Sequence, residues 1–141
     1  MQEKIIRAAE EIAMFCRLQM YTKKGLPIKS SEMGVLIYVQ KQNEGVTPLM
    51  ISNFFQIAKP SVTAMVNELV RKGYLVKIPS PTDRRSYVLS ITDKGIGLVT
   101  STHEEYFKSI ALLEKKMGTK DFRTFIDLME KANTILSKER K

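Results

Sequence analysis

Apolar residues recur three or four positions apart across residues 2–21, at Ile5, Ala8/Ala9, Ile12 and Phe15/Cys16, the spacing of one helix face. Gly25-Leu26-Pro27 ends that helix. Ser30 is placed to cap a second helix, with an inner face of Met33, Leu36, Ile37 and Gln40 and an end near Asn43-Glu44-Gly45. Thr47-Pro48 pairs an N-cap with proline at the first helical position, where a missing N–H costs nothing. The short helix that follows carries Met50, Ile51, Phe54 and Phe55. A tight connection, Gln56-Ile57-Ala58, leads into a helix over 59–72 with Val62, Met65, Val66, Leu69 and Val70 inward, closed by Gly73. The period then changes from helix to strand. Tyr74/Val76/Ile78 and Tyr87/Leu89/Ile91 alternate on either side of a loop, Pro79–Arg85, rich in turn formers.

Beyond Thr92-Asp93-Lys94-Gly95 the apolar positions Ile96, Val99, His103, Tyr106, Ile110, Leu113 and Met117 fall at alternating steps of three and four. That heptad seam predicts one long helix packed lengthwise on another. After Gly118-Thr119 a last helix shows Phe122, Phe125/Ile126, Met129 and Leu136. The expected order is four helices, a two-stranded hairpin and two more helices. The terminal helices carry more apolar surface than one small central module can cover, so a second copy of the chain is the natural cover, giving a two-fold dimer.

Composition sharpens this picture. The 141 residues fit a single domain of ordinary size, and 43% hydrophobic with 27% charged residues describes a globular protein rather than a disordered tail. No apolar run is long enough for a membrane span, no signal-peptide core is present, and one cysteine makes no internal disulfide; a cytoplasmic protein is expected. The formal net charge is +8, and half of that excess lies between residues 59 and 85. Lys59, Arg71, Lys72, Lys77, Arg84 and Arg85 face only Glu68 and Asp83 there. A concentrated excess favours a directed anionic partner.

Two helices joined by a three-residue turn form a helix-turn-helix, and the second presents Lys59, Ser61, Thr63, Ala64 and Asn67 outward. Asparagine suits a bidentate contact to adenine, serine and threonine suit bases or phosphates, and alanine suits a thymine methyl. Arg71 and Lys72 at the far end suit phosphates. Arginines at the hairpin tip suit an A·T-rich minor groove, and Asp83, two residues before Arg85, is placed to pair with its guanidinium. No phosphate loop, paired-carboxylate site or nucleophile motif is present, so no enzyme activity and no cofactor are expected. One histidine and one cysteine are too few for a metal site.

Val46-Thr47 through Gly73-Tyr74-Leu75-Val76, with Asp83-Arg84-Arg85 and Leu89-Ser90-Ile91-Thr92-Asp93-Lys94-Gly95, resemble the MarR family of winged-helix regulators, and the helix order matches over the whole chain. The resemblance implies a mainly α fold with a small β-hairpin, a winged helix-turn-helix with N- and C-terminal dimerisation helices. Within a single domain, 1–141, residues 30–92 form the DNA-binding lobe and 1–24 and 93–141 the dimerisation helices. It implies a homodimeric transcription factor, often a repressor, on a pseudo-palindromic double-stranded operator. Helix 59–72 enters the major groove, with Lys59, Pro60, Ser61, Thr63, Ala64, Asn67, Arg71 and Lys72 as candidate contacts. Wing 79–86 enters the minor groove, with Asp83 orienting Arg85 and Arg84 on the backbone.

Three departures stand out: Gln56 replaces the usual glycine, at a cost of about 1–2 kcal/mol if left-handed, Ala58 replaces a Ser/Thr cap, and Ala64 stands where many members have arginine. Eight methionines suit gap-filling core or, as the resemblance implies, an adaptable apolar pocket at the dimer interface for a phenolic or lipophilic effector. Cys16, with Tyr21 and Tyr38, matches the peroxide sensors of some relatives, but its place on the apolar stripe favours inert packing. His103 is expected in a core or interface. The competing class is a winged-helix module whose basic face binds an acidic protein rather than DNA.

Overall fold

The computed structural model describes residues 2–20 and 25–140. Its elements are α1 (Glu3–Met20), α2 (Ser30–Lys41), α3 (Pro48–Phe55), α4 (Lys59–Arg71), β1 (Leu75–Pro79), β2 (Tyr87–Ile91), α5 (Asp93–Tyr106), α6 (Lys108–Met117) and α7 (Thr119–Glu139). Two compact units divide the chain, one of residues 27–103 and one of residues 1–26 with 104–141.

In the central unit the core is built from three helices and the hairpin. Met33, Val35, Leu36 and Val39 of α2, Ile51 of α3, Val62, Val66 and Leu69 of α4, and Leu75 and Leu89 of the strands are all buried. The expected inner face of α2 is corrected: Val35 and Val39 are inside, Ile37 is half-buried and Gln40 is exposed. The cap also shifts by one residue. Lys29 precedes the helix, and its backbone N–H donates to the Glu32 carboxylate at 2.8 Å. Thr47 caps α3 as expected, its Oγ accepting the Met50 N–H at 3.2 Å, while Phe54 is largely exposed.

The turn between α3 and α4 rests on Gln56, which is left-handed at φ 56°. Its strain is held by local bonds: Ile57 N–H donates to Ser52 O at 3.2 Å, Ser52 Oγ to Ile57 O at 2.7 Å, and Gln56 Nε2 to Asn53 O at 2.8 Å. A left-handed non-glycine costs about 1–2 kcal/mol, while glycine costs about 0.5–1 kcal/mol in chain entropy. Gln56→Gly is therefore expected to raise the unfolding free energy by about 0.5 kcal/mol, read as a higher denaturant midpoint. A lower midpoint would show that the Gln56 side-chain bonds outweigh the strain.

At its other end α4 stops at Arg71, one residue earlier than the sequence pattern places it, with Lys72 as the C-cap. Gly73, at φ 86°, lets Tyr74 N–H reach Leu69 O at 2.9 Å and Gly73 N–H reach Val70 O at 3.0 Å, a Schellman closure. Thr92 then ties three elements together. Its hydroxyl donates to Gly73 O at 2.6 Å and accepts the Gly95 N–H at 3.0 Å, and its N–H donates to Tyr74 O at 3.1 Å.

The antiparallel register pairs Leu75 with Ile91, Lys77 with Leu89 and Pro79 with Tyr87. Residues opposite one another share a face, so Leu75 and Lys77 go with Leu89 and Tyr87. The expected inward phase of Tyr74/Val76/Ile78 is reversed: Val76 and Ile78 are exposed and Leu75 is buried. The residue after a Schellman glycine belongs to the helix closure, which shifts the strand's first inward position to Leu75. Val46 and Leu89 exchange backbone bonds of 3.2 and 2.7 Å, adding a one-residue third strand.

The long heptad helix is also corrected. It breaks at Phe107, where φ is −107° and ψ 14°, so three helices rather than two follow the hairpin. Just before the break, Ser101 and Thr102 hydroxyls bond back to Leu98 O at 3.3 and 2.6 Å, and His103 Nδ1–H donates to Val99 O at 2.9 Å. Such back-bonding bends helices. His103 is exposed in the single chain, and Val99 and Tyr106 on either side of it are buried.

In the other unit Phe15 of α1 meets Phe125 of α7 edge to face, ring centroids 5.6 Å apart. Neither α6 nor α7 has a fully buried residue. Ile5, Ile12, Leu18, Leu128 and Leu136 are each more than half exposed. Cys16 is exposed as well in the single chain, on the helix that carries Ile5 and Ile12. Tyr21, named with it, lies outside the described residues.

Candidate nucleic-acid interface

Helix α4 presents two chemically distinct faces. With Val62, Val66 and Leu69 buried, the 3.6-residue period turns Lys59, Pro60, Ser61, Thr63, Ala64, Asn67 and Arg71 outward, and all seven are exposed. Thr63 spends its hydroxyl proton on Lys59 O at 3.1 Å, which leaves it an acceptor toward any ligand. At the C-terminal end Glu68 accepts two bonds from Arg71, 3.1 Å from Nε and 2.5 Å from Nη2, and lies 3.6 Å from Lys72 Nζ. The hydrogen bonds from Arg71 hold the Glu68 carboxyl below the usual carboxylate range and raise Arg71. The small stabilisation from this exposed pair is therefore present above the ordinary glutamate pKa and is lost as pH falls through the lowered value. Lys72 also donates to Pro27 O at 3.3 Å. Arg71 and Lys72 thus begin with an intramolecular partner.

The loop between the strands, Ser80–Ser86, is shaped by its own side chains. Ser80 N–H donates to Ser86 O at 2.9 Å and Ser86 N–H to Asp83 O at 3.1 Å. Ser80 Oγ accepts the N–H groups of Thr82 and Asp83, both at 3.3 Å. Asp83 Oδ1 accepts the backbone N–H of Arg85 at 3.0 Å, and Oδ2 accepts the Ser86 hydroxyl at 3.1 Å. This corrects the expected Asp83–Arg85 guanidinium pair: Asp83 braces the turn through the backbone. Among the described residues the ion pairs are those of Glu68 with Arg71 and Lys72, so Arg84 and Arg85 project from the loop unpaired and exposed.

These geometries separate two roles for Asp83. Asparagine keeps an oxygen for the Arg85 N–H and offers an N–H to the Ser86 hydroxyl, so the turn survives without the charge. Asp83→Asn is expected to keep anion affinity within about twofold of wild type or raise it, whereas Asp83→Ala loosens the loop and weakens it by about fivefold, the equivalent of roughly 1 kcal/mol for a lost turn-bracing bond. Fluorescence anisotropy on a labelled duplex distinguishes them. A large loss in Asp83→Asn would restore the charge-pairing role.

Lys77 and Tyr87 belong to this surface and escape the sequence pattern. Lys77 Nζ reaches Asn67 Oδ1 at 3.0 Å and stands 4.7 Å over the Tyr87 ring. The assumed strand phase placed Lys77 opposite to where the register puts it; the true signal was Leu75, one residue after the helix closure. Among the described residues no group of three or more His, Cys, Asp or Glu is gathered to hold a metal, and no helix is long and apolar enough to cross a membrane.

A buried helix-turn-helix core, an outward polar helix face and a braced hairpin tipped by two arginines define a winged-helix protein. Residues 25–86 match the MarR family model. It is 36% identical over 69 residues to the HTH-type transcriptional regulator MhqR of Bacillus subtilis (48% of each chain), and 26% identical over 91 residues to the HTH-type transcriptional regulator BilQ of Clostridioides difficile (64% of this chain, 61% of that protein). The chain thus spans about half to three-fifths of the curated relatives it matches. Among solved structures, a mutant MarR from E. coli complexed with operator DNA is similar with TM-score 0.76 and 22% identity, over 92% of this chain and 95% of that one. The S. aureus MepR–DNA complex is similar with TM-score 0.80 and 18% identity, over 89% and 96%. These likenesses show the fold.

Proposed function

We propose that the chain is a homodimeric, sequence-specific DNA-binding regulator that represses transcription by occluding a promoter. In this reading α4 lies in the major groove and loop 80–86 in the adjacent minor groove. The observation that carries it is the pair of unpaired arginines on a turn braced by its own hydrogen bonds, beside an exposed helix face of small polar groups. A braced turn holds the guanidinium groups at the loop tip before binding, so less entropy is lost when they enter a narrow groove. The two DNA-complexed relatives support the same placement by analogy of fold.

The dimer rests on exposed apolar side chains of α1 and α7, from Ile5 and Ile12 to Leu128 and Leu136. A second copy covers such surface by a two-fold, self-complementary contact. Exposed Met14, Met117 and Met129 add polarizable apolar surface, which suits an apolar or phenolic effector that releases the DNA. The acting compartment is the cytoplasm, where the DNA is.

Footprinting of the intergenic DNA beside the gene, together with sedimentation of the protein, tests the reading. The expected result is a dimer protecting an inverted repeat with half-sites about 10 bp apart, centre to centre. A monomer that protects no DNA and instead captures an acidic protein would overturn it.

A further inference from the structure

The strand register places Lys77 opposite Leu89 and on the same face as Leu75 and Tyr87. Leu75 and Leu89 are buried, so this face is the one turned to the core, and the Lys77 side chain emerges beside α4. There its ammonium donates to Asn67 Oδ1 at 3.0 Å while standing 4.7 Å over the Tyr87 ring. An ammonium has three donors and no acceptor. The Asn67 carboxamide must therefore turn its oxygen toward Lys77 and its NH2 group away.

That orientation changes what Asn67 can read. A bidentate contact to adenine uses both ends of a carboxamide, the NH2 donating to N7 and the oxygen accepting from N6. The oxygen keeps a second lone pair, but the ammonium draws it toward the wing strand, so the NH2 group is the end left free, and it offers donors alone. Donors alone match guanine best, which presents two acceptors, O6 and N7, or thymine O4; adenine presents one acceptor, N7, beside an N6 donor that an NH2 group leaves unpaired. We infer that Lys77 is a positioning residue: its bond to Asn67 makes this recognition-helix side chain a donor, so the base facing it is guanine or thymine rather than adenine. The inference rests on the proposed DNA reading and deepens it. It also links the wing strand to the recognition helix, because the Tyr87 ring holds the ammonium in place from the second strand.

Selection from a pool of duplexes with randomised sequence, followed by sequencing, tests it on four proteins: wild type, Asn67→Ala, Lys77→Met and Lys77→Arg. Asn67→Ala identifies the pair read by Asn67, as the one pair per half-site whose preference disappears. At that pair wild type is expected to favour guanine or thymine. Lys77→Met keeps the aliphatic stem on Tyr87 and removes the donors, so its preference is expected to shift toward adenine by about tenfold, with the other pairs unchanged. Lys77→Arg, which retains donors, is expected to select as wild type does.

A Lys77→Met motif identical to wild type, or one weakened evenly at every pair, overturns the inference while leaving DNA recognition standing. So does an Asn67→Ala motif with no altered pair. A wild-type pool that yields no motif overturns the DNA reading and the inference with it.

Discussion

Replacing both Arg84 and Arg85 with alanine is expected to weaken binding to the native operator by about a hundredfold. Each guanidinium projects exposed from a turn whose hydrogen bonds involve only Ser80, Thr82, Asp83, Arg85 and Ser86 main-chain and short polar groups. Removing the two side chains leaves that scaffold intact, so the loss is one of contact rather than of folding. Charge-assisted hydrogen bonds contribute about 1.5–3 kcal/mol each, and about 3 kcal/mol for the pair corresponds to two decades in Kd. Arg85→Ala alone is expected to account for most of this, and the melting temperature is expected to stay within about 1 °C, as for other exposed substitutions. An operator affinity in the double variant equal to that of wild type would remove the wing from the interface.

The second large effect concerns the start of α5, where two glycines two residues apart are expected to respond with opposite sign. A Cβ on Gly95 would stand 2.4 Å from Tyr74 O and 2.7 Å from Ile91 Cγ1. Tyr74 O is backbone and already accepts the Thr92 N–H, so it has nowhere to retreat without breaking the junction of hairpin and helix. Gly95→Ala is expected to destabilise the protein by about 3 kcal/mol, the upper part of the usual overpacking range. A Cβ on Gly97 would meet nothing within 4 Å, and its helical backbone suits alanine. Gly97→Ala is expected to stabilise by about 0.5–1 kcal/mol. Urea or thermal denaturation of the two variants beside wild type checks the pair; destabilisation by both, to the same extent, would contradict the packing at Gly95.

The helix-turn-helix was legible because its signals are local: Thr47-Pro48 caps one helix, Gly73 closes the next, and the apolar steps of α4 leave one face polar. The left-handed conformation at Gln56 was indicated by the resemblance, which puts a glycine at that position. Three features depended on contacts that a linear pattern does not contain. The phase of β1 turned on where the Schellman closure of α4 released the chain, and with it went the place of Lys77. The break at Phe107 arises where polar side chains at 101–103 compete for helix carbonyls, which a spacing of three and four does not register. Asp83 was assigned a different partner, because a short carboxylate two residues before an arginine reaches the backbone N–H more readily than the far end of the guanidinium. The bond between Lys77 and Asn67 spans ten residues across two elements and has no sequence signature.

In the proposed complex two copies of this chain grip one specific duplex through α4 and the wing. Its most direct test is a titration of a duplex carrying the operator's inverted repeat, and of a scrambled duplex of equal length, over a series of salt concentrations. The expected result is two chains per duplex, a preference of at least about a thousandfold for the repeat, and a log–log salt slope near −5 if roughly six phosphates are neutralised. Equal affinity for both duplexes, with no dependence on salt, would contradict it.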